Sequence, residues 1–205
     1  MLKPVAMAYD RIMSGAEEGC LVAWRQGLMG ALSGDVLEIG AGTGGSLDAL
    51  PSTLRSLTLL EPDKNMRLLL ERALSSRGRE ATVVDAGAES LPFPDATFDA
   101  VISSLVLCSV KRQEPVLAEI HRVLKPGGRF VFLEHVAARD RPRRLKWQHR
   151  VEPVWKLLVG NCHLTRDTET TIQSAGFTLM QIDRDSMRGA PPFVRPTIRG
   201  YAVPA

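Results

Sequence analysis

The stretch of this chain that most clearly indicates a chemical function is a series of alternating glycines that follows an acidic residue. Residues 36–46 read Val-Leu-Glu-Ile-Gly-Ala-Gly-Thr-Gly-Gly-Ser. The apolar run is typical of a buried strand, and the glycines allow a tight turn whose backbone comes close to a ligand. The polar residue that follows is typical of a helix start, where free N–H groups bind polar ligands. The stretch therefore predicts a cradle for a nucleotide-like ligand.

Two classes of cofactor fit such a cradle, and the acidic residue Glu38 distinguishes between them. Gly40, Gly42 and Gly45 have the G-x-G-x-x-G spacing of nicotinamide-binding domains. Glu61 follows about twenty residues later, where an acid binds ribose hydroxyls in either class. Glu38, however, would repel a pyrophosphate and attract a cationic amino-acid group, directly or through water. S-adenosylmethionine carries that ammonium and no phosphate, so the pattern favours it over NAD.

The composition is that of an ordinary globular protein. The chain has 205 residues, of which 44% are hydrophobic and 24% charged, and a formal net charge of +3. That length allows one domain with a full core, and the weak charge does not indicate general nucleic-acid affinity. Residues 1–19 contain charges and no long apolar run, so we expect neither a signal peptide nor an anchor. We expect a cytoplasmic protein with reduced cysteines.

Strands and helices alternate along the chain. We predict strands at Val36–Ile39, Leu57–Leu60, Ala81–Val84, Phe98–Ser103, Arg129–Glu134, Phe177–Asp183 and Thr197–Val203. We predict helices at residues 4–32 with a break near Ser14, and at Thr43–Leu50, Lys64–Ser76, Glu114–Leu124, Arg139–Leu158 and Arg166–Ser174. The alternation predicts an α/β, Rossmann-like doubly wound fold with helices on both faces. Its seven-stranded, mostly parallel sheet would carry an antiparallel C-terminal edge strand, because two strands follow each other at the end.

Four motifs in this order resemble the class I S-adenosylmethionine-dependent methyltransferases, in particular those with a methyltransferase type 11 domain. They are Glu38–Gly44, Glu61–Asp63, Leu91–Asp99 and Leu124–Gly128, within residues 36–135. The resemblance implies that S-adenosyl-L-methionine is the cofactor. It also implies one methyltransferase domain over residues 1–205. We divide it into an N-terminal helical lid (1–33), a cofactor-binding core (34–135) and a substrate-side region (136–205).

The resemblance also assigns cofactor-binding residues. Gly40, Gly42 and Gly44 would admit the methionine portion, Glu38 would orient it, and Glu61 would bind the ribose. Further predicted contacts are Tyr9, Pro62, Met66, Ala88, Glu89 and Ser104. Met66 fits core packing equally well. Relatives often carry Asp-Ala-Glu before Leu-Pro-Phe, whereas Gly87 stands at the Asp position here. Backbone groups at Ala88, or the carboxylate of Asp85 or Glu89, must then replace the usual adenine contact.

A second group of motifs resembles the alkyl-thiol S-methyltransferases of the methyltransferase-like group. These motifs are Leu105–Val110, Glu134–Ala137, Trp147-Gln148, Glu152–Lys156 and Cys162–Asp167. The resemblance implies a small thiol as methyl acceptor. Those proteins associate with membranes through an N-terminal apolar segment, which we do not expect here. Alternatives are N-methylation of phosphatidylethanolamine, C-methylation of a quinone, a sensor that binds the cofactor without turnover, and a nicotinamide oxidoreductase.

Candidates for catalysis follow the strands or lie in the C-terminal motif. His135 is the preferred base or orienting group, and His163 and Arg166 are further candidates; the alternative for His135 is a structural histidine. Cys108 and Cys162 would either line the pocket or pack as structural cysteines. Because no His, Cys and carboxylate set has metal-ligand spacing, we predict no metal.

A basic segment, Arg139–Arg150, carries six positive side chains. They form either a solvated helix face or a peripheral contact with anionic headgroups, with Trp147 at the boundary. RNA is a poorer candidate, because aromatic residues total 5% and no aromatic platform interleaves the basic residues. We therefore predict no nucleic-acid partner, and the sequence predicts no oligomeric state.

Overall fold

The computed structural model describes residues 14–205, and a seven-stranded sheet organises them. The strands are β1 (Asp35–Ile39), β2 (Ser56–Leu60), β3 (Thr82–Val84), β4 (Phe98–Ser104), β5 (Leu124–His135), β6 (Phe177–Ser186) and β7 (Pro196–Pro204). The helices are α1 (Val22–Met29), α2 (Lys64–Ser76), α3 (Gln113–Val123), α4 (Pro142–Leu158) and α5 (Thr168–Ser174), and a π-helical turn (Glu17–Leu21) leads into α1. Tyr9 lies outside the described residues. No helix among residues 14–205 is both long and apolar enough to cross a membrane.

The strand order is β3-β2-β1-β4-β5-β7-β6, which confirms the predicted fold class. Strands β1 to β5 pair in parallel, and β7 pairs antiparallel with both β5 and β6. The antiparallel strand therefore lies one place in from the edge, which β6 occupies. The strand order reverses between β1 and β4. A crevice opens at such a reversal, and doubly wound sheets bind their ligands there.

Both faces of the central strand β1 are buried, as expected for a parallel strand between helical layers. Leu37 and Ile39 pack in a cluster with α3 side chains such as Leu117. Val36 points to the opposite face and packs in a cluster with Met29 of α1 and with α2. This double burial fixes the register of β1, so the residues after Ile39 emerge at the crevice.

Several predicted boundaries are wrong. The helix expected over Thr43–Leu50 is only a 3₁₀ turn, Leu47–Ala49, because Gly44 has φ +91° and the chain is still turning there. No break follows Ser14, since residues 14–29 are helical throughout, and the part of the predicted helix before Ser14 lies outside the described residues. Strand β5 begins at Leu124 rather than Arg129, through an irregular register beside β4.

Two helices in the C-terminal region begin later than predicted. Helix α4 begins at Pro142, three residues after Arg139, because the fixed φ of proline suits a first helical turn. Helix α5 begins at Thr168, because the Asp167 carboxylate caps it by accepting from the Thr170 N–H at 3.4 Å.

The loop after β4 is fastened to β5 by the carboxylate of Glu134, which has no solvent exposure. Its Oε1 accepts from Ser103 Oγ at 2.7 Å and from the backbone N–H groups of Val106 and Leu107 at 3.0 Å. Its Oε2 accepts from the Cys108 N–H at 3.3 Å. Three buried amides therefore depend on one side chain, which sets the path of the loop that borders the crevice.

Replacing Glu134 by Ala should lower the free energy of unfolding by about 3 kcal/mol or more, because buried amides without partners cost about 1–3 kcal/mol each. Urea unfolding measures this loss. Glu114→Ala is the control, since that carboxylate is 65% exposed and lies 3.6 Å from the Arg112 guanidinium. The control should change stability by less than about 0.5 kcal/mol. Equal effects of the two substitutions would contradict the anchoring role.

Candidate active site

A cleft of about 530 Å³ opens at the carboxyl ends of the central strands. One end is bordered by Gly40, Glu61 and Ala88, and the other by Cys108 and His135. A second cleft of about 350 Å³ shares Gly40 with the first and extends to Glu38 and Ser104. The two clefts together form one site around the glycine turn.

The glycine turn has a backbone that other residues would not adopt. Gly40 has φ +58°, and a Cβ added there would lie 2.7 Å from Val106 Cγ2. Gly42 also has φ +58°, but the nearest atom to an added Cβ is the Gly40 carbonyl oxygen at 4.0 Å. Gly40 thus gives room for close packing under the turn, while Gly42 presents bare backbone to the cleft.

Glu38 is a buried acid at the start of this turn. It is 2% exposed, and its Oε2 has no hydrogen-bond partner among residues 14–205. Burial raises the pKa of Glu38 to about 7, because the Ser46 hydroxyl and the Arg25 charge only partly offset the loss of water. A buried acid with an unsatisfied oxygen fits a cationic group from a ligand.

Arg25 is a candidate residue that the sequence analysis missed. Its side chain is 7% exposed and reaches from α1 to the glycine turn, where its Nη1 donates to the Gly45 carbonyl oxygen at 3.2 Å. Its Nε donates to Ser104 Oγ at 3.3 Å, and Glu17 pairs with it at 2.6 Å. The signal in the sequence was a single arginine in a helix with apolar spacing, which is too common to indicate a site.

Glu61 follows β2, and backbone N–H groups fix the orientation of its carboxylate. Its Oε2 accepts from the Gly42 N–H at 2.9 Å, and its Oε1 accepts from the Asp63 N–H at 2.8 Å. Burial raises the pKa of Glu61, and the two backbone bonds oppose that rise. The carboxylate is therefore oriented by the backbone while it faces the cleft, a geometry suited to a pair of ribose hydroxyls.

The predicted adenine wall is assembled from short segments. Pro62, Met66 and Ala88 border the cleft, and Met66 and Ala88 are only 5% and 6% exposed. A Cβ added to Gly87 would lie 3.1 Å from Glu89 Oε2. The Glu89 carboxylate therefore lies close to the position where relatives carry an aspartate.

The other end of the cleft brings together two cysteines and a histidine. His135 Nε2 lies 2.8 Å from Cys162 Sγ, and Cys162 Sγ lies 4.0 Å from Cys108 Sγ. Trp155 Nε1 donates to Cys162 Sγ at 3.3 Å. His135 is 2% exposed, and its Nδ1 has no partner among the described residues. Sequence spacing did not suggest this cluster, because its members come from three separate segments.

The members of this cluster shift each other's protonation. The Cys108 thiol, and then the His135 and Trp155 rings, lower the pKa of Cys162 to about 4 against the opposing effect of burial. Burial would lower the pKa of His135, but the neighbouring Cys162 sulfur outweighs it and raises that pKa. The hydrogen bond with Cys162, together with burial, raises the pKa of Cys108 well above its usual range. These shifts favour a positive charge on His135 and a negative charge on Cys162, with the Cys108 thiol kept neutral.

His163 and Arg166 lie behind the cleft wall and are not among its lining residues. Arg166 Nη1 donates to the Leu107 carbonyl oxygen and its Nη2 donates to that of Val110. The His163 backbone N–H donates to the Cys108 carbonyl oxygen at 2.8 Å. Burial and the positive charge of Arg166 lower the pKa of His163. An alternative to the predicted catalytic role of His163 and Arg166 is that they position the loop that carries Cys108, since both donate hydrogen bonds to its backbone.

The residues present fit S-adenosylmethionine. Glu38 and the glycine turn would hold its methionine portion, Glu61 its ribose, and the wall around Ala88 its adenine. Arg25 is the nearby cation for its carboxylate. When bound, the cofactor supplies an electrophilic methyl group on a sulfonium.

Comparisons with known proteins agree with this geometry. Residues 37–132 match the family model described as a methyltransferase domain. Human thiol S-methyltransferase TMT1A is 38% identical over 171 residues, which cover 82% of this chain and 70% of that protein. Human thiol S-methyltransferase TMT1B is 37% identical over 187 residues, which cover 87% and 74%.

A solved structure with the same fold is the S-adenosylmethionine-dependent methyltransferase from Thermotoga maritima. It superposes with a TM-score of 0.68 at 20% identity, and the match covers 98% of this chain and 94% of that one. The chain therefore belongs to the S-adenosylmethionine-dependent methyltransferase family that includes these thiol S-methyltransferases.

Proposed function

We propose that this protein methylates the sulfur of a small apolar thiol. One observation carries the proposal: a cluster of Cys108, His135 and Cys162 ends the same cleft whose other end is built for the cofactor. The relatives named thiol S-methyltransferases support the same acceptor class.

Methyl transfer to sulfur needs a thiolate that is aligned with the sulfonium and shielded from water. A free thiol has a pKa of about 8.5, so only a few per cent is ionised at neutral pH. The positive charge on His135 would stabilise an acceptor thiolate beside it. Holding the two reactants in line supplies much of the remaining acceleration. His135 is thus a proposed charge-stabilising residue, and a base role at neutral pH would require its unprotonated form.

The cleft wall indicates what the thiol carries. Between the two ends it is bordered by Val106, Val110, Val159, Met187 and Val194. Apolar walls favour alkyl and aryl groups and disfavour charged peptides such as glutathione. Phosphatidylethanolamine and quinones remain the acceptors to test against thiols.

We also propose a peripheral contact between α4 and an anionic membrane surface. Its basic first half is followed by exposed apolar side chains: Val154 is 60% exposed, Leu157 87% and Leu158 64%. Each basic residue near such a surface adds about 1 kcal/mol of attraction. A cytoplasmic location stays a prediction.

Acceptor class can be measured with methyl-labelled S-adenosylmethionine. We expect label in the thioethers of alkyl and aryl thiols and little in glutathione, in ethanolamine-lipid vesicles or in a quinol. Mass spectrometry of the products, with heat-denatured protein as control, identifies the labelled atom. Label found only in lipid or quinol would contradict the proposal.

Cofactor affinity should depend on the ionisation of Glu38. Because its folded pKa is about 7, the carboxylate is largely protonated below that pH and cannot attract the ammonium. The affinity for S-adenosylhomocysteine should therefore fall as pH decreases from 8 to 6. Calorimetry across this range measures it. Glu38→Gln should bind more weakly at pH 8 and lose this pH dependence; an unchanged profile in that variant would contradict the role.

Membrane contact can be measured by co-sedimentation with vesicles. Binding should be stronger to vesicles with anionic lipid than to neutral ones, and the combined change Arg143→Glu and Lys146→Glu should weaken it. Arg112→Glu is the control, because Arg112 is exposed and precedes α3 rather than lying on α4. Equal binding to both kinds of vesicle would contradict the electrostatic contact.

A further inference from the structure

We infer that Cys108, His135 and Cys162 form a binding site for a zinc ion whose fourth position opens to the acceptor end of the cleft. The ligand atoms of these residues all lie within 4.8 Å of one another, and all three residues are buried. Two cysteines and one histidine are a set that catalytic zinc uses when a fourth position is left for water or substrate. The inference rests on the proposed function for what the site does, but not for whether it binds metal.

The distances come close to those of a tetrahedral site. Zinc bonds of about 2.3 Å to sulfur and about 2.0–2.1 Å to nitrogen place two sulfurs about 3.8 Å apart, and a sulfur and a nitrogen about 3.5 Å apart. The Cys108–Cys162 sulfur distance of 4.0 Å already agrees. The His135–Cys162 contact of 2.8 Å is a hydrogen bond, which must open by roughly 0.7 Å to admit an ion.

The surroundings suit a metal-bound sulfur. An indole N–H can only donate, so Trp155 makes the Cys162 sulfur a hydrogen-bond acceptor, as a metal-bound thiolate is. The Cys108 backbone is fixed on both sides, because its N–H donates to Glu134 Oε2 and its carbonyl accepts from the His163 N–H. Cys108 and Cys162 are thus each held by the fold as well as by their contact with the other ligands.

The remaining cysteine shows what a plain buried thiol looks like in this protein. Cys20 Sγ packs in an apolar cluster, and its hydrogen bonds go to backbone, the carbonyl oxygens of Ala16 and Arg188, each at 3.7 Å. No histidine or second cysteine joins it among the residues described. By contrast, the cluster in the cleft gathers soft ligands from the loop after β4, the end of β5 and the segment after α4.

A zinc ion here would activate the acceptor in place of a protonated His135, because a histidine that binds metal is a neutral imidazole. As the acceptor thiol takes the fourth position, its S–H bond breaks and the proton leaves to solvent through the cleft. The thiolate then forms a bond to the methyl carbon while the carbon–sulfonium bond breaks, and S-adenosylhomocysteine and the thioether leave. The two cysteine thiolates balance the charge of the ion, so the fourth ligand remains nucleophilic.

The test is the metal content of the protein, expressed with zinc in the medium and purified without a histidine tag or chelator. Mass spectrometry of the metal should give about one zinc per chain in the wild type and in Cys20→Ser. Cys108→Ser, Cys162→Ser and His135→Ala should each weaken zinc binding by at least about tenfold, which is the loss seen even for outer-shell partners. A zinc content per chain that is no higher in the wild type than in these three variants would overturn the inference.

Cobalt substitution keeps the test valid if those variants fold poorly. In the wild type, Co²⁺ should give thiolate-to-metal absorption that an alkyl thiol perturbs. No such absorption would overturn the metal site, and a spectrum that saturating thiol leaves unchanged would overturn the open position.

The two proposals fail in different ways. Zinc-free protein that methylates thiols at the full rate would overturn the activating role of zinc and leave the proposed function intact. Zinc-loaded protein that methylates no thiol would do the reverse.

Discussion

The shape of the cleft depends on the hydrogen bonds that Glu134 accepts from the loop after β4. These bonds draw Ser103, Val106, Leu107 and Cys108 onto the end of β5. The next residue along β5 is His135, so one buried carboxylate brings a cysteine of the loop after β4 close to the histidine that ends β5. A carboxylate without solvent is costly unless it is bonded, and here its bonds are what build the acceptor end.

Buried carboxylates also define the cofactor end, but they are satisfied to different degrees. Glu61 accepts two backbone bonds and is oriented before any ligand arrives. Glu38 keeps one oxygen without a partner among residues 14–205, and its pKa is raised to about 7. Because burial favours the protonated acid in the native state, the folded protein loses stability as pH rises from the ordinary glutamate value of 4.5 to about 7. A bound ammonium would offset that loss, which couples cofactor binding to the stability of the turn.

Local signals in the sequence were sufficient for the framework. The apolar runs predicted all seven strands, and the one-sided apolar residues predicted helix α2 with its bounds, Lys64–Ser76, where the structure adds an Asp63 cap. The prediction of a helix from Thr43 was wrong, because the glycines that allow a ligand to approach closely also disfavour a helix. His135, Cys108 and Cys162 were each candidates for the pocket, but their contact with one another could not be predicted, because Cys162 lies 27 residues from His135 and 54 from Cys108. Only tertiary structure brings such residues together, and the same reason hid Arg25.

A crystal structure with S-adenosylhomocysteine and an alkyl thiol bound together would test the central claim most directly, that one cleft holds a methyl donor at one end and a thiol acceptor at the other. We predict the cofactor ammonium beside Glu38 and its ribose on Glu61. The acceptor sulfur should lie in line with the cofactor sulfur, on the side of His135 and Cys162. A thiol bound elsewhere, or a cofactor whose sulfur faces away from that cluster, would contradict the account.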